Sequence, residues 1–335
     1  MVQALRTRRM RPDMARTSDH LPTVDIVIPN YNYGHYLLEC ANSVLSQTGV
    51  VVRLLIIDNA STDNSAALAR TLAANDLRVE LLLRSENLGP HASFNQAIDW
   101  ARSEFFLILC ADDLLSSGAL ARSAQLLRHC PDVHLAFGVA QSIAAHERRP
   151  QMPAFVHRGD WDIVEGKRFI ECACRYAFNP VAGPTALVRT DIQKRVGYYR
   201  AELTHTDDLE MWLRFALWGN VASTRNVQAY ARVHNANQSA KVAGIMNWNS
   251  EFEAAFRSFF EQEGREMAGA SRHFEAARTC LTKRAYWSAF ASFMRGEKDA
   301  ARLMAFALKR RPLLALLPPV DYLLERRHRY HSDRG

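Results

Sequence analysis

The sequence has no C-x-x-C pair, no G-x-G and no long apolar run, and each absence closes off a class of protein. Its six cysteines (Cys40, Cys110, Cys130, Cys172, Cys174, Cys280) are scattered, several inside apolar segments. Such usage fits reduced thiols and argues against a disulfide framework or a structural zinc. Without G-x-G, neither a dinucleotide loop nor a P-loop is present, which disfavours hydride transfer and P-loop ATP hydrolysis. No stretch reaches the roughly 18 apolar residues a membrane span needs. The nearest, Pro312 to Leu324, is interrupted by prolines and Asp321, so it can lie on a bilayer but not cross one. The Arg-rich start lacks an apolar h-region, so a cytoplasmic protein is expected, with the inner face of the membrane as a second station.

Charge of one sign is also scarce where it would matter. The net charge is +7, but residues 1–20 carry five Arg against two Asp and residues 309–335 seven Lys or Arg against three acids. The tails hold +3 and +4, so the body is neutral. A nucleic-acid-binding or scaffold protein would carry its excess on one folded face among aromatics, and no nucleic acid partner is expected. Basic ends suit attraction to an anionic membrane surface.

What is there is a strict alternation of strands and helices. Thr23–Ile28, Val51–Ile57, Val79–Leu83 and Phe105–Cys110 read as strands separated by helical patterns, which implies right-handed crossovers and a parallel sheet with its loops at one edge. Phe105–Cys110, six apolar residues in a row, reads as a strand buried on both faces. It ends in Asp112 and Asp113, at the sheet edge where ligands of such folds bind, and a helix is expected to follow directly. Two adjacent carboxylates there suit a hard divalent cation and a phosphate-bearing ligand, although the same pair could cap a helix. The other loops at that edge, Pro29-Asn30-Tyr31-Asn32, Asp58 to Asp63 and Asn87-Leu88-Gly89, are acidic and amide-rich, which suits a base edge and ribose hydroxyls.

The series Val-Ile-Pro-Asn-Tyr-Asn (27–32), Ile-Ile-Asp-Asn-Ala-Ser-Thr-Asp (56–63), Asn-Leu-Gly (87–89) with Asn95, and Ala-Asp-Asp (111–113) resembles the family 2 glycosyltransferases. The resemblance implies a GT-A fold: an α/β, Rossmann-like, mostly parallel sheet flanked by helices. It also implies inverting transfer from a nucleotide-diphosphate sugar, here expected to be a UDP-sugar, to a glycan or lipid-linked glycan. The implied cofactor is Mn2+ or Mg2+. Asp113 is then the metal ligand, with His234 as a further contact. Pro29, Tyr31, Asn32, Asp58, Asn87, Asn95 and Asp112 frame the nucleotide-sugar. Phe94 stands where an Arg is often found, and Ala111 where another Asp sometimes is. A sugar nucleotidyltransferase is the rival reading, but it would want a basic, glycine-rich loop after the first strand.

In the second half, Thr206-Asp207-Asp208-Leu209-Glu210 reads as a helix start, with Asp207 and Glu210 spaced as a capping box and Leu209, Trp212, Leu213 and Ala216 as an apolar face. The resemblance makes Asp208 the catalytic base and Asp207 its acidic neighbour, with Gly183, Pro184 and Thr185 in the acceptor loop. Tyr230-Ala231-Arg232-Val233-His234 resembles the family's closing motif. From about Asn247 the pattern turns helical, with breaks at Gly264 and Gly296. The expected organisation is a flexible basic tail over residues 1–21, a GT-A domain over 22–245 (halves about 22–115 and 116–245), and a helical extension over 246–335. The extension, with its Lys309-Arg310-Arg311 and Arg326-Arg327-His328-Arg329 clusters, is the candidate surface for peripheral membrane contact.

Overall fold

The computed structural model describes residues 8–10, 20–145, 147, 160–234 and 244–323. The expected alternation is present: β2 (Thr23–Asn30), α1 (Gly34–Leu45), β3 (Val51–Asp58), α2 (Ser65–Asn75), β4 (Val79–Leu83), α3 (Pro90–Trp100) and β5 (Phe105–Ile108). β2 pairs in parallel with both β3 and β5, and β3 with β4. All four carboxyl ends therefore open at one edge. Alternate residues of the β5 strand serve opposite cores: Phe106 packs into one apolar cluster, Phe105 and Leu107 into the other. That two-sided burial is why its sequence shows no polar alternation.

Beyond β5 the sheet is mixed. β6 (Leu114–Leu115) follows the two aspartates, and the expected helix, α4 (Ala119–His129), begins only after Gly118 turns the chain through a positive φ of 69°. The aspartates therefore cap nothing. The remaining elements are β7 (Val133–Ala144), β8 (Trp161–Val164), α5 (Gly166–Tyr176), a 3-10 turn (Gly183–Thr185), β9 (Leu187–Arg189), α6 (Thr190–Val196), α7 (Asp207–Trp218) and β10 (Asn220–Val233). β9 inserts antiparallel between β5 and β7, so the parallel set is confined to the first half and the β7–β10 pair. Residues 8–10, expected in a flexible tail, form β1 (Arg8–Met10) along the free edge of β8. An open strand edge is a ready template for a passing segment.

The three C-terminal helices are α8 (Gly244–Glu261), α9 (Ala270–Met294) and α10 (Ala300–Arg310). Phe256 and Phe259 of α8 and Leu281 of α9 lie in the same buried cluster as Leu209 and Phe215 of α7. A separate small core gathers Ala285, Ala289, Leu303, Ala307 and Leu314. These helices are thus continuous with the core around α7 at their near end and have a core of their own only at their far end. Among the described residues no helix is long and apolar enough to cross a membrane.

Candidate active site

One cavity of about 850 Å³ opens at the carboxyl edge of the parallel strands. On one side the loops after β2, β3 and β4 form a polar floor. Asn32 adopts φ 59°, a left-handed conformation Asn tolerates, and its Oδ1 accepts from Thr62 N at 2.7 Å. Asn59 donates from Nδ2 to Asn87 Oδ1 at 2.6 Å and accepts from Leu88 N at 3.1 Å. The side-chain amides thereby lock three loops to one another.

Asp112 and Asp113 face the same cavity. Asp113 Oδ1 accepts from Arg232 N at 3.1 Å, and His234 Nε2 lies 3.1 Å from Asp112 Oδ2. Burial, and then the neighbouring Asp112 carboxylate, push the Asp113 carboxyl up to about 8. Two adjacent buried acids form a hard-oxygen donor set that suits a divalent cation. Among the described residues no cluster of three or more His, Cys, Asp or Glu is preformed, so a cation would draw further ligands from a diphosphate or water. Arg232 is already engaged by Asp112 O, Glu39 Oε2 and Glu147 O, and it holds the aspartate loop against α1.

Across the cavity stands the N-terminus of α7. Asp208 Oδ2 accepts from Asn179 Nδ2 at 2.8 Å and its Oδ1 from Leu209 N at 2.7 Å. Burial, and then the adjacent Asp207, push Asp208 up to about 7. The expected capping box does not form. Thr206 is the N-cap residue, without a side-chain cap bond, and Glu210 is fully buried between Arg200 (2.5 Å) and Arg214 (2.9 Å). A carboxylate so buried requires charged partners, and the two arginines supply them in place of a backbone amide. His91, at the start of α3, places Nε2 at 3.2 Å from Asp207 Oδ2 and joins the two sides of the cavity.

Of the residues singled out in the sequence, Pro29, Tyr31, Asn32, Asn87, Asp112, Asp113, Gly183, Pro184, Asp207 and Asp208 line this cavity. Four stand behind its wall. Asp58 is 2% exposed and accepts from Asn30 Nδ2 (2.8 Å) and Ser61 N (3.0 Å). Asn95 brackets the backbone of Tyr199, accepting from its N and donating to its O. Thr185 Oγ1 donates to Ala182 O at 2.7 Å. His234 is packed between Tyr33 and Tyr36. Sequence reasoning missed Asn59, His91, Tyr199, His205, Trp212 and Trp248, which also line the cavity. Only Asn59, inside the Asp-Asn-Ala-Ser motif, carried a local signal.

A parallel β/α half bearing an aspartate pair, joined to a mixed half bearing a second acidic pair, is the GT-A arrangement. Similar folds are seen in Staphylococcus aureus TarS residues 1–349 in complex with UDP-GlcNAc (TM-score 0.62, 16% identity, 85% of this chain and 79% of that one). Mannosyltransferase PcManGT from Pyrobaculum calidifontis, in complex with GDP-Man and Mn2+, is similar too (TM-score 0.58, 18% identity, 96% and 91%). Residues 25–181, a little under half of the chain, match the family described as glycosyl transferase family 2. In sequence it is 31% identical over 97 residues to glycosyltransferase GlyG of Streptococcus pneumoniae serotype 4, covering 29% of this chain and 32% of that protein. The chain thus matches about a third of the length of that relative.

Proposed function

We propose that the chain transfers a sugar, with inversion, from a UDP-sugar to a hydroxyl of a glycan or lipid-linked glycan. The observation that carries this reading is the single cavity onto which Asp112 and Asp113 open from one side and Asp207 and Asp208 from the other. The nucleotide-sugars and the Mn2+ named for the two similar structures support donor and metal classes of this kind.

In this reading Asp113, with Asp112 beside it, holds the cation, and His234 fixes Asp112 from behind. Bound there, a divalent cation supplies charge neutralisation for the leaving diphosphate. Tyr31, Asn32, Asn59 and Asn87 frame the nucleoside. Asp58, Asn95 and Thr185 act by positioning the loops that touch substrate. Asp208 takes the proton of the acceptor hydroxyl as its oxygen attacks the anomeric carbon. A carboxyl raised to about 7 suits a base working near neutrality. Attack opposite the leaving group, with one base and no carboxylate nucleophile, inverts the anomeric centre.

Calorimetry of UDP-, GDP- and dTDP-sugars with and without Mn2+ tests the donor side: Asp113→Asn should abolish the metal-dependent part of binding. Unchanged affinity with and without the metal would remove Asp113 from that role. Membrane contact belongs to the same proposal. Leu313, Leu316 and Leu317, 69%, 79% and 70% exposed, follow Lys309-Arg310-Arg311.

A further inference from the structure

Among the described residues, the C-terminal extension reaches the cavity through one side chain. Trp248, on α8, lines it although it lies far outside the stretch matched by the family. Its ring centroid is 6.3 Å from that of His205, two residues before Asp207. Thr206 Oγ1 donates to Glu251 O at 2.9 Å, so the turn of α8 that carries Trp248 is fastened to the residue that opens the base helix. Phe252, one turn on, stacks 6.1 Å from Trp248 and lies under the Arg284 guanidinium. Trp248 is therefore held at the α7 end of the cavity, away from the amide floor.

A second observation concerns Trp212, one turn after Asp208. It lines the cavity while 4% exposed, and its indole Nε1–H is buried with no acceptor among the described residues. A buried N–H without a partner costs free energy that a ligand oxygen would recover. The charge of this end is equally telling. Among the lining residues there is no lysine and one arginine, Arg232, which is committed to the aspartate loop, whereas Asp207 and Asp208 are both here. Among the described residues the cationic partner these acids have is the His91 imidazole, already engaged by Asp207, so a phosphate or carboxylate brought against them would meet net repulsion.

We propose, resting on the glycosyl-transfer reading, that Trp248 is the stacking wall of an acceptor subsite for an uncharged glycosyl residue. The apolar face of a pyranose lies on the Trp248 ring, a hydroxyl is directed at Asp208, and the ring of His205 borders the site. The extension is then part of the acceptor site rather than an appendage, and the residue receiving the sugar carries neither phosphate nor uronic acid.

The test uses the full chain with UDP and Mn2+. Saturation-transfer NMR is recorded with p-nitrophenyl glycosides of glucose, galactose, mannose and N-acetylglucosamine, and with p-nitrophenyl glucuronide and glucose 6-phosphate. The expected result is binding of at least one neutral glycoside, weakened about tenfold in Trp248→Ala and within about threefold in Trp248→Phe, with nucleotide affinity unchanged in both. Unaltered glycoside binding in Trp248→Ala overturns the assignment. So does preference for the glucuronide or the phosphate, or an absence of glycoside binding in wild type that binds UDP. A wild-type chain that binds no nucleotide with any metal defeats the glycosyl-transfer reading itself, and this inference with it. Should Trp248→Ala fail to fold, Trp248→Phe and Trp248→Leu carry the comparison, since only the first keeps an aromatic face.

Discussion

At the scale of single residues, the consequential feature is a pair of acids at the start of α7 whose environment keeps one of them protonated into the neutral range. Asp208 sits at about 7 in the folded chain against the usual carboxylate range in the unfolded one. The folded state therefore binds more protons between about pH 4 and 7, and stability falls as pH rises through that window. Asp208→Asn removes this loss, so the variant should be more stable than wild type at pH 8, by about 1–2 kcal/mol in urea unfolding, and equal to it near pH 4. The same substitution should lower the transfer rate at least about 100-fold while leaving donor affinity within about twofold. Wild-type turnover should rise with pH across about 7, and a rate flat from pH 5 to 9 would place the base elsewhere. His91 is raised by Asp207 first of all, so the imidazolium offsets part of the charge that disfavours Asp208 ionisation. Glu202 also acts on His91, and Phe94 packs edge-on to its ring. In His91→Phe the acid limb of the rate profile should move to higher pH, which a purely structural loss would not do.

At the scale of elements, what holds Asp208 in place is the packing of α7. Glu210 ties it to Arg200, and Arg200 in turn to Ser258 and Glu263 around the end of α8. On the opposite face α5 approaches so closely at Gly166 that a Cβ there would strike the carbonyl oxygens of Ala216 and Gly219. Backbone cannot yield as a flexible side chain can, so Gly166→Ala should lower stability by about 2 kcal/mol or more and, by tilting α7, reduce kcat more than donor affinity. Unchanged urea midpoint and unchanged kcat would show that the two helices slide apart freely. The sequence made α7 legible as a helix, because Leu209, Trp212, Leu213 and Ala216 recur at helical spacing. It misled about Glu210, whose D-x-x-E spacing suits a cap, while its partner Arg200 is brought in from the preceding loop, a contact that no periodicity encodes. The parallel strands were legible because burial on both faces leaves unbroken apolar runs. β9 was less so: three residues running antiparallel between β5 and β7 obey a long-range pairing.

At the scale of the whole molecule, the aspartate loops and the start of α7 were readable as motifs because each lies on a short contiguous stretch. The cavity they share is assembled from segments more than a hundred residues apart, so His91, Tyr199 and Trp248 emerge only when the chain is folded. The far end of the extension poses the opposite case, since its apolar run was plain in the sequence and is left exposed by the described residues. Leu314 turns inward to the small core, yet Leu313, Leu316 and Leu317 on the same turn point outward, and Val320 is 54% exposed. Trp287 holds this turn down by donating from Nε1 to Pro319 O at 2.9 Å, so the exposure belongs to an anchored surface. Apolar side chains on an anchored turn, entered through Lys309-Arg310-Arg311, meet the two requirements of interfacial binding: buried area and attraction to anionic headgroups. The full chain should therefore float with vesicles containing about a third phosphatidylglycerol and not with neutral ones, and lose that association as salt rises past about 0.5 M. A combined Leu313→Ser, Leu316→Ser and Leu317→Ser variant should stay in the aqueous fraction while its nucleotide affinity is unchanged, because none of the three lines the cavity. Equal flotation of wild type and variant would leave the patch without this role and assign any membrane attraction to the basic ends alone.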